Sequence, residues 1–431
     1  MINKIFFGRS LSGLTIPILF TGAPNSNMKK RFLIGSIFFA LVSIPVWMVF
    51  FYRADISGIS PSLFGTFPDI QASAPQGKLP LSYPEEFELS IFAEGLKGPR
   101  VIAFDPAGTM LVSLPPAGKI VALPDADGNG RADRIVEVVS GLNRPHGIAF
   151  SPDGGKRLYV AESNRVTAYD YDSEKFRAGS PEKLVDLPGG GNHTSRSILL
   201  LPPPNEETML ISVGSTCNSC EEEDWRRAKI LVMRKGGAKL DTFASGLRNA
   251  VFMTVHPESK EIWATEMGRD FLGDDLPPDE INRIEPGNDY GWPYCYGDNI
   301  PDNEFLGDTD YSEACRGKTP ALFNLQAHSA PLGLSFFPSR GWPSKYRNNL
   351  LVAYHGSWNR SKPTGYKVVL FRFDEQGRFQ QQEDFISGWL RNEYSSIGRP
   401  VDIKIRETGH IFISDDKAGV IYRLALKKNP V

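Results

Sequence analysis

The sequence predicts an all-β fold, a six-bladed β-propeller with an N-terminal transmembrane helix, and three observations lead to this prediction. First, a unit of two short apolar strands joined by a turn recurs six times along the chain. Second, glycine (41) and proline (33) are frequent among the 431 residues, as expected of a chain with many turns. Third, an uncharged apolar run long enough to cross a bilayer lies near the N-terminus.

The repeated unit is the basis of the propeller prediction. Each copy has an apolar strand, a turn rich in Pro, Asp, Gly or Glu, and a second apolar strand. The copies recur at intervals from the mid-forties upward, which is typical of propeller blades. A β-sandwich or a solenoid fits the number and the spacing of the copies less well. The copies begin at Arg100, His146, Ser195, Asn249, Leu332 and Val401.

Two further strands are expected to close the ring. The segment 87–96 precedes the first complete unit, and the segment 419–427 lies at the end of the chain. Because an unpaired sheet edge invites association with other chains, we expect these two segments to share the sixth blade.

The apolar run, residues 32–52, predicts a membrane anchor. Basic residues at 29–31 and Arg53 flank it, and the larger charge before the run places the N-terminus in the cytoplasm. A cleaved signal peptide, cut near residues 72–74, and a buried helix are the alternatives. The predicted domains are an N-terminal extension (1–27), a transmembrane signal-anchor (28–53), a linker (54–84) and the six-bladed β-propeller (85–427).

The net charge and the cysteines indicate which partners and which cellular location to expect. The formal net charge of -2 gives no electrostatic case for nucleic acid binding. All four cysteines follow the apolar run, so we expect two disulfides, Cys217–Cys220 and Cys295–Cys315, on the extracytoplasmic side. A redox-active dithiol at the first pair is the alternative, whereas haem attachment is excluded because Glu221, not histidine, follows Cys220. The expected location is the periplasm, anchored to the inner membrane.

Polar residues at the blade heads predict a site at one end of the channel. In a propeller the first strand of each blade lines the central channel, so the starts of these strands converge. Basic and amide side chains recur there, where a purely structural strand start would need none. For any single histidine or for the Arg248–Asn249 pair, an ordinary turn or a buried structural pair is the alternative. The predicted rim comprises Arg100, His146, His193 with Ser195 and Arg196, Arg248, Asn249, His328 and Arg399.

A separate acidic loop predicts a calcium site. Oxygen-bearing side chains at loop positions 1, 3, 5 and 9, with Gly130 at position 6, follow the spacing of calcium-binding loops. Val136 occupies position 12, where such loops carry a glutamate, so a plain Asp-Gly turn is the alternative. The candidate ligands are Asp125, Asp127, Asn129 and Asp133.

Several motifs of this chain resemble the glucose/sorbosone dehydrogenase family of soluble quinoproteins. The resemblance covers essentially residues 85–427, and its most specific motifs lie in the fourth blade. Two stretches, HGSWNRSKPTGYKVV and GSTCNSC, are similar to the sorbosone dehydrogenase-like branch. The remaining motifs are GGGNHTSRS, GLRNA, EMGRD, DEINRIEPGNDYGWP, AHSAPLGLSFF and GRPVDI.

The resemblance implies a propeller that holds pyrroloquinoline quinone (PQQ) and Ca²⁺ over its channel. His193 matches the general base of the family, and Arg248 and Asn249 match the pair at the quinone carbonyl. Arg399 matches a residue that holds the cofactor's carboxylates, and the carbonyls of Gly268 and Arg269 match a calcium-binding turn. His146 and His328 fall at blade heads near the same pocket and are predicted cofactor contacts.

Three departures from the family pattern concern the cofactor contacts. Ser215 stands where the glucose enzymes carry an acidic residue, and Val401 stands where they carry a second arginine. The family's lysine near positions 355–356 is also missing, and Arg360 or Lys417 are possible local replacements. These changes make glucose itself a poor candidate substrate.

The predicted function is therefore the oxidation of an aldose or a related sugar aldehyde or alcohol. His193 takes the hydroxyl proton, and hydride passes to an organic cofactor because no amino acid accepts it. No dinucleotide-binding fingerprint is present. The expected partners are a small sugar and an electron acceptor such as a quinone or a cytochrome. A propeller that binds a sugar or a protein without turnover is the alternative, and a lactonase is disfavoured because the rim is basic.

Overall fold

Six four-stranded antiparallel sheets form the part of the chain that the structure describes. The structure is a computed structural model, and it describes residues 79–427 apart from 206–207, 235–238, 308–310 and 394. Each predicted repeat forms the two inner strands of one sheet, so the predicted propeller with six blades is confirmed.

The strands follow the ring in chain order, except that the first strand, β1 (Phe87–Ala93), belongs to the last blade. Blade 1 contains β2 (Ile102–Phe104), β3 (Met110–Leu114), β4 (Lys119–Leu123) and β5 (Val136–Val139), with a short 3₁₀ turn at Pro115–Ala117. Blade 2 contains β6 (Ile148–Phe150), β7 (Arg157–Glu162), β8 (Arg165–Asp172) and β9 (Arg177–Asp186). Blade 3 contains β10 (Arg196–Leu200), β11 (Met209–Val213), β12 (Lys229–Met233) and β13 (Leu240–Ser245).

The second half of the ring carries the insertions. Blade 4 contains β14 (Met253–Val255), β15 (Ile262–Glu266), β16 (Asp279–Ile284) and β19 (Phe323–Leu325). An insertion between β16 and β19 contains the hairpin of β17 (Cys295–Tyr296) and β18 (Ile300–Pro301) and the helices α1 (Asn303–Leu306) and α2 (Tyr311–Ala314). Blade 5 contains β20 (Pro331–Phe336), β21 (Leu350–Tyr354), β22 (Lys367–Phe373) and β23 (Phe379–Ile386), followed by the hairpin of β24 (Leu390–Asn392) and β25 (Ser395–Ser396). Blade 6 contains β26 (Pro400–Arg406), β27 (His410–Asp415) and β28 (Val420–Leu426).

The ring closes as the sequence predicted. Strand β1 completes the sixth blade by pairing antiparallel with β28, from Phe87 opposite Leu426 to Ala93 opposite Ile421. The first strand of every blade also contacts the first strands of its two neighbours, so β2, β6, β10, β14, β20 and β26 form an unbroken inner ring. The closure leaves no gap between the first and last blades.

Apolar side chains pack between neighbouring sheets, because each strand alternates between the two faces of its blade. Ala161 of blade 2 packs in one cluster with Val213 of blade 3, and Val112 of blade 1 packs in another with Ile421 of blade 6. Polar groups join the inner ends: the Ile102 amide donates to Asp402 Oδ2 at 2.8 Å across the junction of blades 1 and 6. The core thus lies between blades and leaves the channel mouth to polar residues.

The four cysteines pair as predicted. Disulfides join Cys217 to Cys220 and Cys295 to Cys315. The first closes the loop between β11 and β12, and the second anchors the insertion of blade 4. Both loops lie next to residues of the predicted site.

The N-terminal predictions fall mostly outside the described residues. These are the extension 1–27, the transmembrane segment 28–53 and the linker up to residue 78. Within the described part of the chain, no helix combines the length and apolarity that a bilayer crossing needs. The end of the linker already packs on the propeller, because Leu81 is buried and Ser82 pairs with Ser387.

Blades 2 and 3 approach each other closely at Gly147, and a substitution there tests this contact. The Gly147 amide donates to the Arg196 carbonyl at 2.8 Å, and a Cβ at Gly147 would lie 2.7 Å from that backbone oxygen. We expect Gly147→Ala to lower the free energy of unfolding by about 1–3 kcal/mol, because backbone must move to admit the methyl group. Denaturant unfolding measures this. The control is Gly179→Ala on β9, where the nearest atom to the added methyl lies at 3.4 Å; an equal loss at both positions would contradict the inferred contact.

Candidate active site at the channel mouth

A cavity of about 390 Å³ opens at the end of the propeller where the first strands begin. In five of the six blades, its walls are formed by residues just before the first strand of the blade or just after its second strand. The sequence predicted this convergence from the phase of the repeat. The lining residues are Gly98, Arg100, Pro115, Pro116, Arg144, His146, Asn192, His193, Thr194, Ser195, Asn249 and Asp416.

A glycine-rich loop, 189–191, brings His193 to this cavity. The loop lies so close to the next segment that a Cβ at Gly191 would stand 2.8 Å from Thr216 Cα. Arg196, which the sequence placed at the rim, is instead fully buried and donates to the His193 carbonyl at 2.9 Å, and Arg227 donates to the Gly189 carbonyl at 2.6 Å. Two buried arginines therefore hold the backbone on both sides of the histidine.

The ring of His193 is oriented by Ser215. Its Nδ1 lies 3.0 Å from the Ser215 carbonyl and 2.9 Å from Ser215 Oγ, whose own proton goes to the Cys217 carbonyl at 2.7 Å. Because a carbonyl oxygen only accepts, the ring proton sits on Nδ1 and leaves Nε2 as the basic atom. Burial and the nearby Arg248 charge lower the pKa of His193 to about 3, so the ring is neutral at physiological pH.

His146 is a second neutral imidazole of the cavity wall. Ser197 Oγ donates to the Val251 carbonyl and so accepts from His146 Nδ1, at 3.2 Å. Within the described chain, His146 Nε2 is buried without a hydrogen-bond partner. Burial lowers the pKa of His146 well below its usual value. A buried acceptor of this kind is costly unless a ligand or a water supplies the missing donor.

An ion cluster forms the opposite wall. Arg100 Nη1 lies 2.8 Å from Asp416 Oδ2, and His355 Nε2 lies 2.9 Å from Asp416 Oδ1. Burial opposes ionisation of Asp416, but His355 and Arg100 together lower its pKa below the ordinary value. Burial and the Arg399 charge lower the pKa of His355 to about 4. The sequence placed Arg100 at the rim but did not predict its pairing with Asp416 and His355.

Arg248 lies at the same end of the propeller, behind His193, and is buried. Its guanidinium donates to the Gly268 carbonyl at 3.0 Å, to the Asn218 carbonyl at 2.8 Å and to Asn218 Oδ1 at 2.9 Å. Its Nη2 also lies 3.2 Å from Asp270 Oδ2. Asn218, from the Cys217–Cys220 loop, completes the contact by accepting from the Asp270 amide at 2.8 Å. The sequence did not predict this role for the disulfide loop.

Of the other predicted cofactor contacts, Asn249 lines the cavity whereas His328 and Arg399 contact neighbouring loops. His328 Nε2 lies 2.8 Å from the Gly273 carbonyl, and its Nδ1 lies 3.2 Å from Asn359 Nδ2. Arg399 donates to the carbonyls of residues 355 and 356 and lies over the Tyr366 ring. Their contact with a cofactor stays a prediction.

The predicted calcium ligands lie in two places. The Gly268 carbonyl points at Arg248, as described above, and Arg269 pairs with Asp302 at 3.0 Å. The Gly268 carbonyl thus accepts from a guanidinium, whose positive charge opposes a cation at the same oxygen, and calcium at the carbonyls of Gly268 and Arg269 stays a prediction.

The acidic loop of blade 1 is organised by its own backbone. Its carboxylates accept from backbone amides: Asp125 from Gly130 at 3.0 Å, Asp127 from Asn129 at 3.1 Å and Asp133 from Ala126 at 2.8 Å. Over the described residues, the ligand atoms of these aspartates do not form a group within 4.8 Å of one another. Calcium at Asp125, Asp127, Asn129 and Asp133 therefore stays a prediction.

The expected replacements for the missing cofactor contacts lie elsewhere. Arg360 pairs with Asp275 at 2.8 Å, and Lys417 donates to Ser396 at 3.0 Å. The basic residues at the cavity are Arg100 and Arg144, and the sequence analysis missed Arg144. A signal was present, because Arg144 holds the same place after a Gly-Leu pair (141–142) as Asn249 holds after Gly246-Leu247.

The donor set of the cavity fits PQQ, a planar molecule with carboxylate groups. Arg144 supplies positive charge for carboxylates, Arg100 shares its charge with Asp416, and Asn249 supplies a neutral amide. The unpartnered Nε2 of His146 suits an N–H or O–H of a bound molecule. The volume lies within the range of small-molecule sites, about 300–1,000 Å³.

Three known proteins show what the chain is similar to in sequence and in fold. A protein of Borreliella burgdorferi without an assigned function is 30% identical over 364 residues, which cover 81% of this chain and 91% of that protein. The PQQ-dependent pyranose dehydrogenase of Coprinopsis cinerea is 24% identical, over 83% of this chain and 56% of its own length. The calcium structure of a Trichoderma reesei carbohydrate-active enzyme of family AA12 has the same fold, with a TM-score of 0.71, 21% identity, and coverage of 82% of this chain and 99% of that one.

The family assignment rests on a model that spans the propeller. The model described as TrAA12-like matches residues 81–427, from the strand segment that closes the ring to the last described residue. All the residues that line the cavity lie within this match. The chain therefore belongs to the TrAA12-like family of PQQ-dependent, sugar dehydrogenase-like oxidoreductases.

Proposed function

We propose that this protein oxidises an aldose, or a related sugar aldehyde or alcohol, with PQQ as its cofactor. The observation that carries the proposal is the pairing of His193, a neutral imidazole with a free basic Nε2, with arginines at one cavity. The relative from Coprinopsis cinerea supports a pyranose as substrate. The sorbosone dehydrogenase-like branch is our proposal from the motifs HGSWNRSKPTGYKVV and GSTCNSC.

His193 is the proposed general base. Its Nε2 takes the hydroxyl proton of the substrate carbinol or hydrate, while Ser215 holds the Nδ1 proton and prevents the ring from turning. PQQ, when bound, supplies the two-electron acceptor that side chains lack. Burial and the Arg248 charge lower the pKa of His193 to about 3, and the carboxylates of a bound PQQ would oppose this shift by adding negative charge near the ring.

Arg248 has the proposed role of stabilising negative charge near the reacting carbon. It is buried, and five oxygens fix the position of its guanidinium, so its field needs no reorganisation during the reaction. Arg100 and Arg144 bind anionic groups of the cofactor. No step is assigned to Ca²⁺, which enters the proposal only as a partner of the family's PQQ site.

The cellular setting is also part of the proposal. The predicted anchor at 28–53 and the two disulfides support a periplasmic propeller tethered to the inner membrane. Electrons then pass to a quinone or a cytochrome. The second candidate function is a sugar- or protein-binding propeller without turnover, favoured by the loss of family contacts at Ser215 and Val401.

Reconstitution tests the cofactor. The full-length chain in detergent, supplied with PQQ and Ca²⁺, is expected to reduce an artificial electron acceptor with at least one member of a panel of aldoses and sugar alcohols. PQQ binding is followed separately by its absorbance after desalting. Samples without PQQ and samples with a chelator are the controls. If the protein neither binds PQQ nor reduces the artificial electron acceptor, the sugar- or protein-binding propeller without turnover is favoured.

The base is tested by His193→Ala. We expect kcat to fall about 10²–10⁴-fold, the usual contribution of a positioned general base. The melting temperature should change little, because the side chain lies partly exposed at the cavity. His256→Gln, at a turn of blade 4, is the matched control and should keep full activity. Full activity in His193→Ala would remove this residue from the mechanism.

Positioning of Arg248 is tested by Asn218→Ala, which removes the Oδ1 acceptor of Arg248 and Asp270. A lost hydrogen bond to a charged group predicts a fall in kcat of about 10–100-fold with a smaller change in KM. Ser219→Ala, one residue further in the same disulfide loop, removes a buried hydroxyl that has no hydrogen-bond partner among the described residues. Equal losses in both variants would show that the loop has only a structural role. Asn218→Asp, which retains the acceptor, should keep more of kcat than Asn218→Ala.

A further inference from the structure

Two exposed aromatic side chains lie on the loops that follow the second strands of blades 4 and 5, and they take no part in the proposed chemistry. Phe271 is 49% exposed and Trp358 is 47% exposed. Their ring centroids are 6.0 Å apart and the ring planes are nearly perpendicular, at 89°. We call this pair, together with the loops 270–276 and 358–361 that carry it, the aromatic shelf. Large exposed apolar groups with a polar border are typical of binding surfaces.

The shelf is joined directly to the site. Asp270, the neighbour of Phe271, lies 3.2 Å from Arg248. Asn359, the neighbour of Trp358, donates to Asp270 Oδ1 at 2.5 Å. Both rings are thus one residue from a hydrogen-bonded chain that ends at Arg248, whose charge acts on His193.

The two loops are also held to each other, so the shelf is a built surface and not two independent side chains. Arg360 donates to the Asp274 carbonyl and pairs with Asp275 at 2.8 Å. The Ser361 amide donates to Asp274 Oδ1 at 2.9 Å. Binding to a preorganised surface avoids the entropy cost of ordering mobile loops.

The backbone of Phe271 adds an independent observation. Its φ is +74°, in the left-handed region that a bulky residue occupies at a cost of about 1–3 kcal/mol. This conformation leaves the phenyl ring half exposed against Trp358, where it gains little burial to offset the cost. Such a conformation is retained where the surrounding structure fixes it, and it clusters at ligand-binding sites.

We propose that the aromatic shelf is a second sugar subsite, which binds the pyranose ring next to the one that is oxidised. The inference rests on the proposed function and specifies its substrate class as oligosaccharides. One face of a pyranose presents C–H groups that pack on an aromatic ring, while its hydroxyls lie at the edge. The Asp275 side chain, 85% exposed at the border of the shelf, offers an acceptor for those hydroxyls.

The test begins with binding, which needs no cofactor. The full-length chain without PQQ is titrated with cellobiose, maltose and their trisaccharides by calorimetry, in the wild type and in Trp358→Ala. We expect at least one of these sugars to bind and its Kd to rise about tenfold in the variant, the scale of one aromatic contact. Trp358→Phe, which retains a ring, should restore most of the affinity. A wild type that binds none of these sugars while oxidising monosaccharides with PQQ would overturn the inference and leave the proposed function intact.

Kinetics give the second readout. In the enzyme loaded with PQQ, Trp358→Ala and Phe271→Ala should raise KM for the disaccharide about tenfold and change KM for the monosaccharide less than twofold. Trp225→Ala is the matched control, since Trp225 is 50% exposed but lies in a different groove, with Asp186 and Lys239. Equal effects on both sugars would contradict a second subsite. A loss confined to turnover with a protein electron acceptor would assign the shelf to that partner and overturn the proposal.

Discussion

The site depends on a buried carboxylate that recurs at the end of the second strand in alternate blades. Glu162, Glu266 and Asp415 end β7, β15 and β27, and all three are buried. Each accepts from the backbone amide of a residue that precedes the first strand of its own blade: Asn143 at 2.6 Å, Asn249 at 2.7 Å and Arg399 at 2.8 Å. Burying a carboxyl group is costly, and each of these hydrogen bonds offsets part of that cost; within the described chain, Glu266 Oε2 has no hydrogen-bond partner. These hydrogen bonds therefore fix the backbone just before the first strand of blades 2, 4 and 6, where residues of the site lie.

Burial also shifts the pKa values of the charged groups around the cavity. Burial raises the pKa of Asp415 to about 6 and raises that of Glu266 well above its usual value. On the basic side, burial lowers the pKa of Arg196 to about 9. These groups lie behind the wall and fix the backbone, whereas the cavity surface carries neutral imidazoles, the exposed Arg144 and the Arg100–Asp416 ion pair. The result is a site with a rigid frame and a wall that suits an anionic, planar ligand.

The disulfide loop of blade 3 shows how this chain differs from the pattern it resembles. Ser215 takes the place of an acidic residue, yet it still orients His193, because its carbonyl and hydroxyl both accept from Nδ1. The loop that follows contributes the Cys217 carbonyl, which receives the Ser215 proton, and Asn218, which holds Arg248. Neutral hydrogen bonds thus replace a carboxylate beside the histidine, and the short Cys217–Cys220 bridge constrains the loop that supplies them.

By itself, the sequence determined the six repeats, the closure of the ring by its two ends, the cysteine pairs and the end of the channel where polar residues meet. These follow from period-two alternation, turn chemistry and repeat phase, which are local or periodic properties. Only the tertiary structure decided which polar residues face the cavity: it brought Arg144 to the wall, paired Asp416 with Arg100 and His355, and turned the Gly268 carbonyl towards Arg248. The position of a residue within the repeat fixes its height along the channel. The direction of its side chain, however, depends on contacts with residues of other blades.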